Sequence, residues 1–404
     1  MSNKKTVITA IITALAAGTV SWCGRGAYDM FVHRTVISKV MGVQKILDDN
    51  FLYDYDSKKA ADFVALAMTM SLDDPYTVYY NKKQFADYTN SGSGDFIGVG
   101  ITVICDKEND EILVVSVMDN SPGMEAGILP GDVITKVEGV DYSGSQMSDA
   151  VSKIKGLDME ENRENTEVHI TVKRKNKEHE LTLIRKKIHQ KTVDSKLLDS
   201  NIGYIRISSF NGESETGEIS TDREFLEAFK SLEAEGMEKL VIDVRDNGGG
   251  RVDVVSEIID FLVPEGLIMY TEDRYGNRNE IKSGADEVNM PMSILVNENS
   301  ASASELLTGA LRDYGKAKVI GTKTFGKGVM QAIYPFADGS GMSVTIAKYY
   351  TPLGTCVQDE GITPDIVVEM PENLENSYIS VINPKDDVQL KTALDYLKKQ
   401  NSKG

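Results

Sequence analysis

The chain carries the stretch SILVNENSASASELLTGAL at residues 293–311. Its first four residues predict a short buried strand, and the polar run 297–300 predicts a turn. From Ala303 onward, apolar residues recur at helical spacing, so Ser302 is expected near a helix N-terminus. Unpaired backbone N–H groups and the positive end of the helix dipole favour a developing negative charge there.

The stretch TFGKGVMQ at residues 324–331 adds a lysine and a glutamine. This half of the chain has no histidine, so it cannot build a Ser-His-Asp site alone; the four histidines are His33, His169, His179 and His189. A serine can instead use a neutral lysine as its base, provided that burial lowers the lysine pKa from about 10.4. The glycines and apolar residues around Lys327 suit that requirement. Strand alternation over residues 328–334 would turn Gln331 to the same side as Lys327, where it could orient the amine.

Taken singly, each of these residues has a simpler explanation. A lone serine here would be a helix cap, and a lone lysine would be a solvated turn residue. The combination of serine, lysine and glutamine favours catalysis, but spacing and helix pattern do not choose between Ser300, Ser302 and Ser304.

The blocks resemble those of the carboxyl-terminal processing peptidases, or tail-specific proteases, which are serine peptidases with a Ser–Lys dyad. In that family the nucleophile is the middle serine of an S-A-S-A-S-E block. The lysine follows 25 residues later and a glutamine four residues beyond it, as do Lys327 and Gln331 here. The resemblance therefore implies Ser302 as nucleophile, Lys327 as general base and Gln331 as the residue that positions the lysine.

A third block, LVIDVRDNGGG at residues 240–250, predicts a buried strand that runs into a glycine turn. Glycines let backbone approach a substrate carbonyl closely, and no G-K-[ST] follows that would make a phosphate loop. The resemblance implies that the amides of Gly248, Gly249 and Ala303 form an oxyanion hole. It also implies supporting roles for Glu305, Thr324 and Arg245.

Size and charge narrow the class of protein. The 404 residues suffice for two or three domains, and a net charge of −18 argues against nucleic acid as a partner. Three scattered cysteines are too few for a disulfide framework or a metal site, so we expect no metal and no cofactor. Free thiols at Cys105 and Cys356 are favoured over a disulfide between them.

The N-terminal residues 1–25 predict a membrane anchor. Lys4 and Lys5 precede 19 uncharged residues, Thr6 to Gly24, which is just long enough to cross a bilayer with the N-terminus inside. A cleaved signal peptide is the alternative. In either case the rest of the chain is expected outside the cytoplasm, held at the cell membrane or secreted.

Residues 26–90 predict a helical segment, in which the stretch Leu72 to Tyr76 breaks the helical pattern. The resemblance covers this segment too, because these peptidases carry a short helical N-terminal segment that ends in a D-P-Y block. Without the resemblance, the segment would be a generic helical hairpin or an arm for forming a homodimer.

Residues 91–187 resemble a PDZ domain of the bacterial protease type, on the strength of SPGMEAGILPGDVI at residues 121–134. Such a domain binds an extended peptide tail by strand addition and receives its carboxylate in a loop. The resemblance places that loop at Phe96, Ile97, Gly98, Val99 and Gly100. A joint at Ser91 to Gly94 precedes the domain, and an acidic insert at residues 157–165 departs from the shorter link common in the family.

Residues 188–370 alternate strands and helices, which predicts an α/β core, and residues 371–404 contain an amphipathic helix. The resemblance identifies the core as a crotonase/Clp-like spiral. The expected fold is thus multidomain α+β: a helical N-terminal segment, a PDZ domain and a Ser–Lys protease core.

The sequence therefore predicts an extracytoplasmic serine endopeptidase that cleaves proteins near their C-terminal tails. The PDZ domain would either deliver the tail or gate the site. Two other functions are compatible with parts of the chain. One is a catalytically silent PDZ scaffold, which would have no need of the complete serine, lysine and glutamine set. The other is an acyl-CoA enzyme on a crotonase-type fold, which the predicted export disfavours.

Overall fold

A computed structural model describes residues 34–400, apart from 92–94, 107–108, 119, 158, 160–162, 214–218, 373, 375–376, 378 and 380–381. The predicted anchor and Cys23 lie outside these residues. Within the described ranges, no helix is both long and apolar enough to traverse a bilayer. Cys105 and Cys356 are free thiols and half-buried. The chain forms two compact units that divide after Tyr79.

The first unit contains the helices that the apolar spacing predicts. Helix α1 spans Arg34–Asn50 and α2 spans Ser57–Met70. Asp56 caps α2, because its carboxylate accepts the backbone N–H groups of Lys58 and Lys59. Most large apolar side chains of α1 are exposed to solvent.

The boundary between the units falls within the short strand at Val78–Tyr80, and the first part of the second unit contains a small antiparallel sheet to which that strand does not belong. The elements from the unit boundary onward are β1 Val78–Tyr80, α3 Lys82–Ser91, β2 Asp95–Gly98, β3 Ile101–Asp106, β4 Glu111–Val117, α4 Pro122–Glu125, β5 Val133–Val137, β6 Val140–Asp141, a 3₁₀ turn Gly144–Gln146, α5 Met147–Lys155, β7 Glu167–Arg174, β8 Lys177–Ile184 and β9 Lys186–His189. The sheet order is β3-β4-β5-β7-β8, with β6 on β5, and β2 pairs separately with β9. Strand β3 therefore lies at an edge of this sheet.

The motif at residues 121–134 has a structural explanation in this sheet. Ser121 caps α4 by accepting the N–H of Met124, and Asp132 accepts the N–H of Leu129 and two bonds from Arg174. Burial opposes ionisation of Asp132, but the hydrogen bonds and charge of Arg174 outweigh it and hold the pKa of Asp132 below its ordinary value.

The remaining elements form the core that carries the candidate site. They are β10 Val193–Leu198, β11 Ile202–Ile207, α6 Thr221–Ala234, β12 Lys239–Asp243, α7 Val252–Leu262, β13 Gly266–Asp273, β14 Arg278–Ser283, β15 Met292–Val296, α8 Ala303–Asp313, β16 Ala317–Gly321, β17 Val329–Pro335, β18 Gly341–Tyr350, β19 Ile366–Val367 and α9 Val388–Lys398. The alternation expected from the sequence is confirmed.

A six-stranded sheet lies at the centre of this core, in the order β10-β11-β12-β15-β16-β19. All neighbouring pairs are parallel except β10 with β11. Helices α6, α7 and α8 pack on one face, where Ile242 is buried, and α9 packs on the other, where Val241 is buried. Burial on both faces explains why these strands are continuous apolar runs rather than alternating ones.

An antiparallel sheet stands beside the central one. In it, β18 lies between β17 and β13, and β13 pairs in turn with β14. The connection from β16 to β17 carries the chain from the central sheet to this one. Thr324 and Lys327 lie on that connection. The stretch 293–311, which holds Ser302, therefore follows a strand of the central sheet, whereas the stretch 324–331, which holds Lys327, leads into the antiparallel sheet.

Candidate active site

Ser302 occupies a strained turn between β15 and α8. Its φ is 57° and its ψ is −114°, a backbone conformation that costs a residue with a side chain about 1–3 kcal/mol. Hydrogen bonds hold both of its polar backbone groups. The N–H donates to Glu305 Oε2 at 2.9 Å, and the carbonyl accepts Leu306 N and the hydroxyl of Tyr349, each at 2.9 Å.

The surroundings of the three serines differ. Ser300 is buried, and its hydroxyl donates to the Val244 carbonyl at 2.8 Å. Ser304 is also buried, and its hydroxyl donates to the Asn247 carbonyl at 2.8 Å. Ser302 is half-buried and lines a cavity. The geometry therefore favours Ser302 as the accessible nucleophile and gives the other two serines structural roles.

A cavity of about 810 Å³ brings most of the predicted site residues together. Its walls combine polar groups with apolar side chains, including Leu306 and Met330. Tyr88 and Thr89 of α3 also border it, which the sequence did not indicate. The predicted residues on the wall are Ser302, Ala303, Lys327, Gln331 and Gly248.

Glu305 connects the two segments that carry the serine and the lysine. Its carboxylate is fully buried and accepts four hydrogen bonds. Oε2 accepts the N–H of Ser302 at 2.9 Å and that of Lys327 at 2.8 Å. Oε1 accepts the Thr324 hydroxyl at 2.6 Å and the Gly326 N–H at 2.8 Å. Two of the three residues that the resemblance marked as supporting, Glu305 and Thr324, thus lie in one network at the site.

Lys327 does not continue the strand that the sequence predicted at residues 328–334. Strand β17 begins at Val329, and its register against β18 shifts between Met330 and Gln331, so simple alternation does not relate Lys327 to Gln331. Gly328 packs closely against a neighbouring segment, because a Cβ there would lie 2.4 Å from the Gln358 amide nitrogen. Both side chains nevertheless line the cavity, and Gln331 Nε2 donates to the Thr345 hydroxyl at 3.3 Å.

Two backbone amides are placed to bind an oxyanion. Across the described part of the chain, the amides of Gly248 and Ala303 donate no hydrogen bond to another protein group, and both residues line the cavity. The amide of Gly249, also expected to contribute, is already bonded to Asn247 Oδ1 at 2.9 Å. Gly249 instead permits close packing, since a Cβ there would lie 2.8 Å from that of Ser302.

Asn247 is a positioning residue that the sequence reasoning missed. Its carbonyl accepts the N–H of Ala301 at 3.0 Å and the hydroxyl of Ser304 at 2.8 Å. Its side-chain nitrogen donates to the Ile207 carbonyl at 3.0 Å. Asn247 thereby ties the glycine turn to the segment around the candidate nucleophile. Its place directly before three glycines was the only signal for this role.

Arg245 lies beneath the turn rather than in the cavity. It is fully buried and forms ion pairs with Asp243 at 2.6 Å and Asp387 at 2.8 Å. Burial alone would raise the pKa of Asp243, but the charge and hydrogen bonds of Arg245 hold it below the ordinary value. Arg245 also donates to Gln389 on α9. Its supporting role is therefore to join the strand before the turn to the C-terminal helix.

A second cavity, of about 960 Å³, lies between strand β3 and helix α5. Because β3 is a sheet edge, an extended peptide could pair with it. The cavity wall includes four of the five residues predicted for peptide binding: Phe96, Gly98, Val99 and Gly100. Ile97 is not on the wall, and Phe96, Ile97 and Gly98 belong to strand β2, so only Val99 and Gly100 lie in the connection to β3.

Comparison with known proteins agrees with this architecture. The profile of peptidase family S41 matches residues 201–368, and that of the PDZ domain matches residues 96–184. A probable CtpA-like serine protease of Staphylococcus aureus (strain N315) is 36% identical over 371 residues, which cover 91% of this chain and 71% of the relative. One from Staphylococcus saprophyticus is 34% identical over 374 residues, covering 90% and 72%. This chain belongs to peptidase family S41.

Solved structures support the same fold. A photosystem II D1 C-terminal processing protease matches with a TM-score of 0.50 and 26% identity, over 82% of this chain and 88% of that one. A putative S41 protease from Bacteroides fragilis matches with a TM-score of 0.56 and 17% identity, over 81% and 87%. The protein is therefore a serine peptidase that combines helices and sheets with a PDZ domain.

Proposed function

We propose that this protein is an extracytoplasmic endopeptidase that cleaves proteins near their C-terminal tails, with Ser302 as nucleophile and Lys327 as general base. One observation carries the assignment of the dyad. Ser302 and Lys327 line the same cavity, and their backbone amides are held by the same carboxylate oxygen of Glu305.

The residues on the cavity wall suffice for acyl transfer. Neutral Lys327 takes the proton from Ser302 Oγ as that oxygen attacks the scissile carbonyl. The amides of Gly248 and Ala303 stabilise the oxyanion. When the C–N bond breaks, Lys327 returns the proton to the leaving amine, and Gln331 keeps the lysine aligned. Water then hydrolyses the acyl-enzyme with Lys327 again as the base.

Two features support recognition of C-terminal tails. The edge of β3 and helix α5 border a groove of suitable form for strand addition. One structural relative is a photosystem II D1 C-terminal processing protease. The PDZ domain would bind the free carboxylate end of a substrate and either deliver it to Ser302 or open the site.

The N-terminal segment supports a cellular location and an oligomeric state for the protein. The uncharged run Thr6 to Gly24 supports a single-pass anchor with the protease outside the cytoplasm, or a secreted protein if the run is cleaved. Helix α1 exposes large side chains such as Met41 and Ile46, each 64% exposed, which supports a homodimer formed by this unit.

The test compares unfolded protein substrates that differ only in their last few residues. The wild-type protein should cleave those with an apolar free C-terminus fastest, and the Ser302→Ala variant should cleave none. Equal cleavage whatever the tail would refute tail recognition. Retained cleavage by Ser302→Ala would refute the choice of nucleophile.

A further inference from the structure

The candidate nucleophile and base are attached to different sheets. Ser302 precedes α8, which follows β15 of the central sheet, whereas Lys327 leads into β17 of the antiparallel sheet. Proton transfer between their side chains requires that the two segments keep a separation within hydrogen-bond reach. If only the packing of the two sheets set that separation, a small movement of one sheet against the other would change it. Hydrogen bonds that cross-link the two segments directly would hold the separation constant.

Glu305 provides one cross-link. It belongs to α8, the helix of the nucleophile, and its Oε2 accepts the N–H of Lys327 at 2.8 Å. A residue of the first segment thus holds the backbone of the second from its amide side.

Tyr349 provides a second cross-link in the opposite direction. It belongs to β18, which pairs with β17, and its own N–H donates to the Gly328 carbonyl at 2.9 Å. Its hydroxyl reaches the Ser302 carbonyl at 2.9 Å and the Lys327 carbonyl at 2.7 Å, so one hydrogen is shared between two acceptors. The side chain is 4% exposed, which shields these bonds from water.

We infer that Tyr349 is a positioning residue for the proposed reaction: its hydroxyl fixes the carbonyl sides of Ser302 and Lys327, as Glu305 fixes their amide sides. This inference rests on the proposed function of Ser302 and Lys327. The hydroxyl is committed to backbone carbonyls, so its loss should affect the chemical step more than substrate binding.

The experiment compares Tyr349→Phe with Tyr314→Phe. Tyr314 is a matched control, because its hydroxyl also donates to a backbone carbonyl, that of Leu267 at 3.0 Å, and its ring packs against the same core. For each variant, kcat, KM, the rate of acylation by a fluorophosphonate probe and the melting temperature are measured. We expect Tyr349→Phe to lower kcat about tenfold to a hundredfold, with KM within about twofold, and to slow acylation in proportion.

Tyr314→Phe should leave kcat within about twofold of wild type, even if it lowers the melting temperature by as much as Tyr349→Phe does. Placing p-aminophenylalanine at position 349 restores a donor and should recover much of the lost kcat. An unchanged kcat in Tyr349→Phe, or an equal loss in Tyr314→Phe, would overturn the inference. The inference would also be overturned if Tyr349→Phe failed to fold while the p-aminophenylalanine variant was active, because the hydroxyl would then have a structural role only. Cleavage by Ser302→Ala in the same assay would instead refute the proposed nucleophile.

Discussion

The side chain of Glu305 shows how one residue can organise the site without taking part in the chemistry. Its two oxygens accept four hydrogen bonds, three of them from backbone amides and one from Thr324. All four partners are donors, so only a group with two acceptor oxygens can satisfy them. A buried donor left without an acceptor costs about 1–3 kcal/mol.

Glu305→Gln should therefore lower activity while nearly preserving the volume of the side chain. The new amide NH₂ would face N–H groups, and the segments of Ser302 and Lys327 would move apart. We expect kcat to fall about a hundredfold, as measured in a steady-state assay. Glu298→Gln is the control, because Glu298 is exposed and, among the residues that the structure describes, its carboxylate accepts a hydrogen bond from Thr322 alone. Wild-type kcat in Glu305→Gln would show that the carboxylate does not organise the site.

Two physical reasons require glycine at position 249: its positive φ and the lack of space for a Cβ. A second glycine with a similar φ but open surroundings separates the two effects. Its φ is +105°, and an added Cβ would lie 2.8 Å from both Ser302 Cβ and the Ala301 carbonyl oxygen. Gly236 has a similar φ of +94°, but a Cβ there would meet no heavy atom within 4 Å. Gly249→Ala should abolish peptidase activity because it displaces Ser302, whereas Gly236→Ala should cost only stability, about 1 kcal/mol. Equal activities of the two variants in a kcat measurement would contradict this assignment.

At the scale of elements, the C-terminal helix α9 is joined to the core by a buried charge cluster. Arg245 lies between Asp243 on strand β12 and Asp387, which caps α9 by accepting the N–H of Leu390. Asp243 and Arg245 lie just before the glycine turn in sequence, so the ion pair of Arg245 with Asp387 connects α9 to the strand that leads to the candidate oxyanion hole.

Arg245→Ala should lower the free energy of unfolding by about 3–5 kcal/mol, because it leaves two buried carboxylates without their partner. Arg251→Ala removes a similar ion pair with Asp253, but its side chains are 52% and 65% exposed, so the loss should stay below about 1 kcal/mol. Urea denaturation of both variants measures the difference. Similar losses in the two would mean that the buried cluster contributes no more than a surface pair.

At the scale of the whole molecule, the alternation of strands and helices could be predicted because the helices bury apolar residues at helical spacing, whereas central strands such as β12 and β15 are short, continuous apolar runs. Helix α7, at Val252–Leu262, is one example of such a helix, since most of its apolar side chains are buried. The roles of Ser302 and Lys327 depended on resemblance, since three alternating serines have equivalent local sequences. Tyr349 and Asn247 could not be predicted, because they reach the site from strands and turns distant in sequence. The register shift before Gln331 likewise depends on pairing with β18.

The groove beside β3 should bind a peptide through its free carboxylate. Titration of the full-length Ser302→Ala variant avoids cleavage of the ligand. A peptide with an apolar last residue and a free acid end should bind more tightly than the same peptide capped as an amide, because backbone amides in the connection between β2 and β3 would lose a charge-assisted partner. Equal affinities would mean that this groove does not read C-terminal ends.

The central claim, that Ser302 is activated by Lys327, is tested most directly by covalent labelling with a fluorophosphonate probe. Peptide mass spectrometry of the labelled wild-type protein should place the probe on Ser302 alone. Lys327→Ala and Lys327→Arg should both abolish labelling while the proteins stay folded, because neither residue can accept the serine proton. Labelling of Ser300 or Ser304, or of Ser302 at an undiminished rate in Lys327→Ala, would contradict the account.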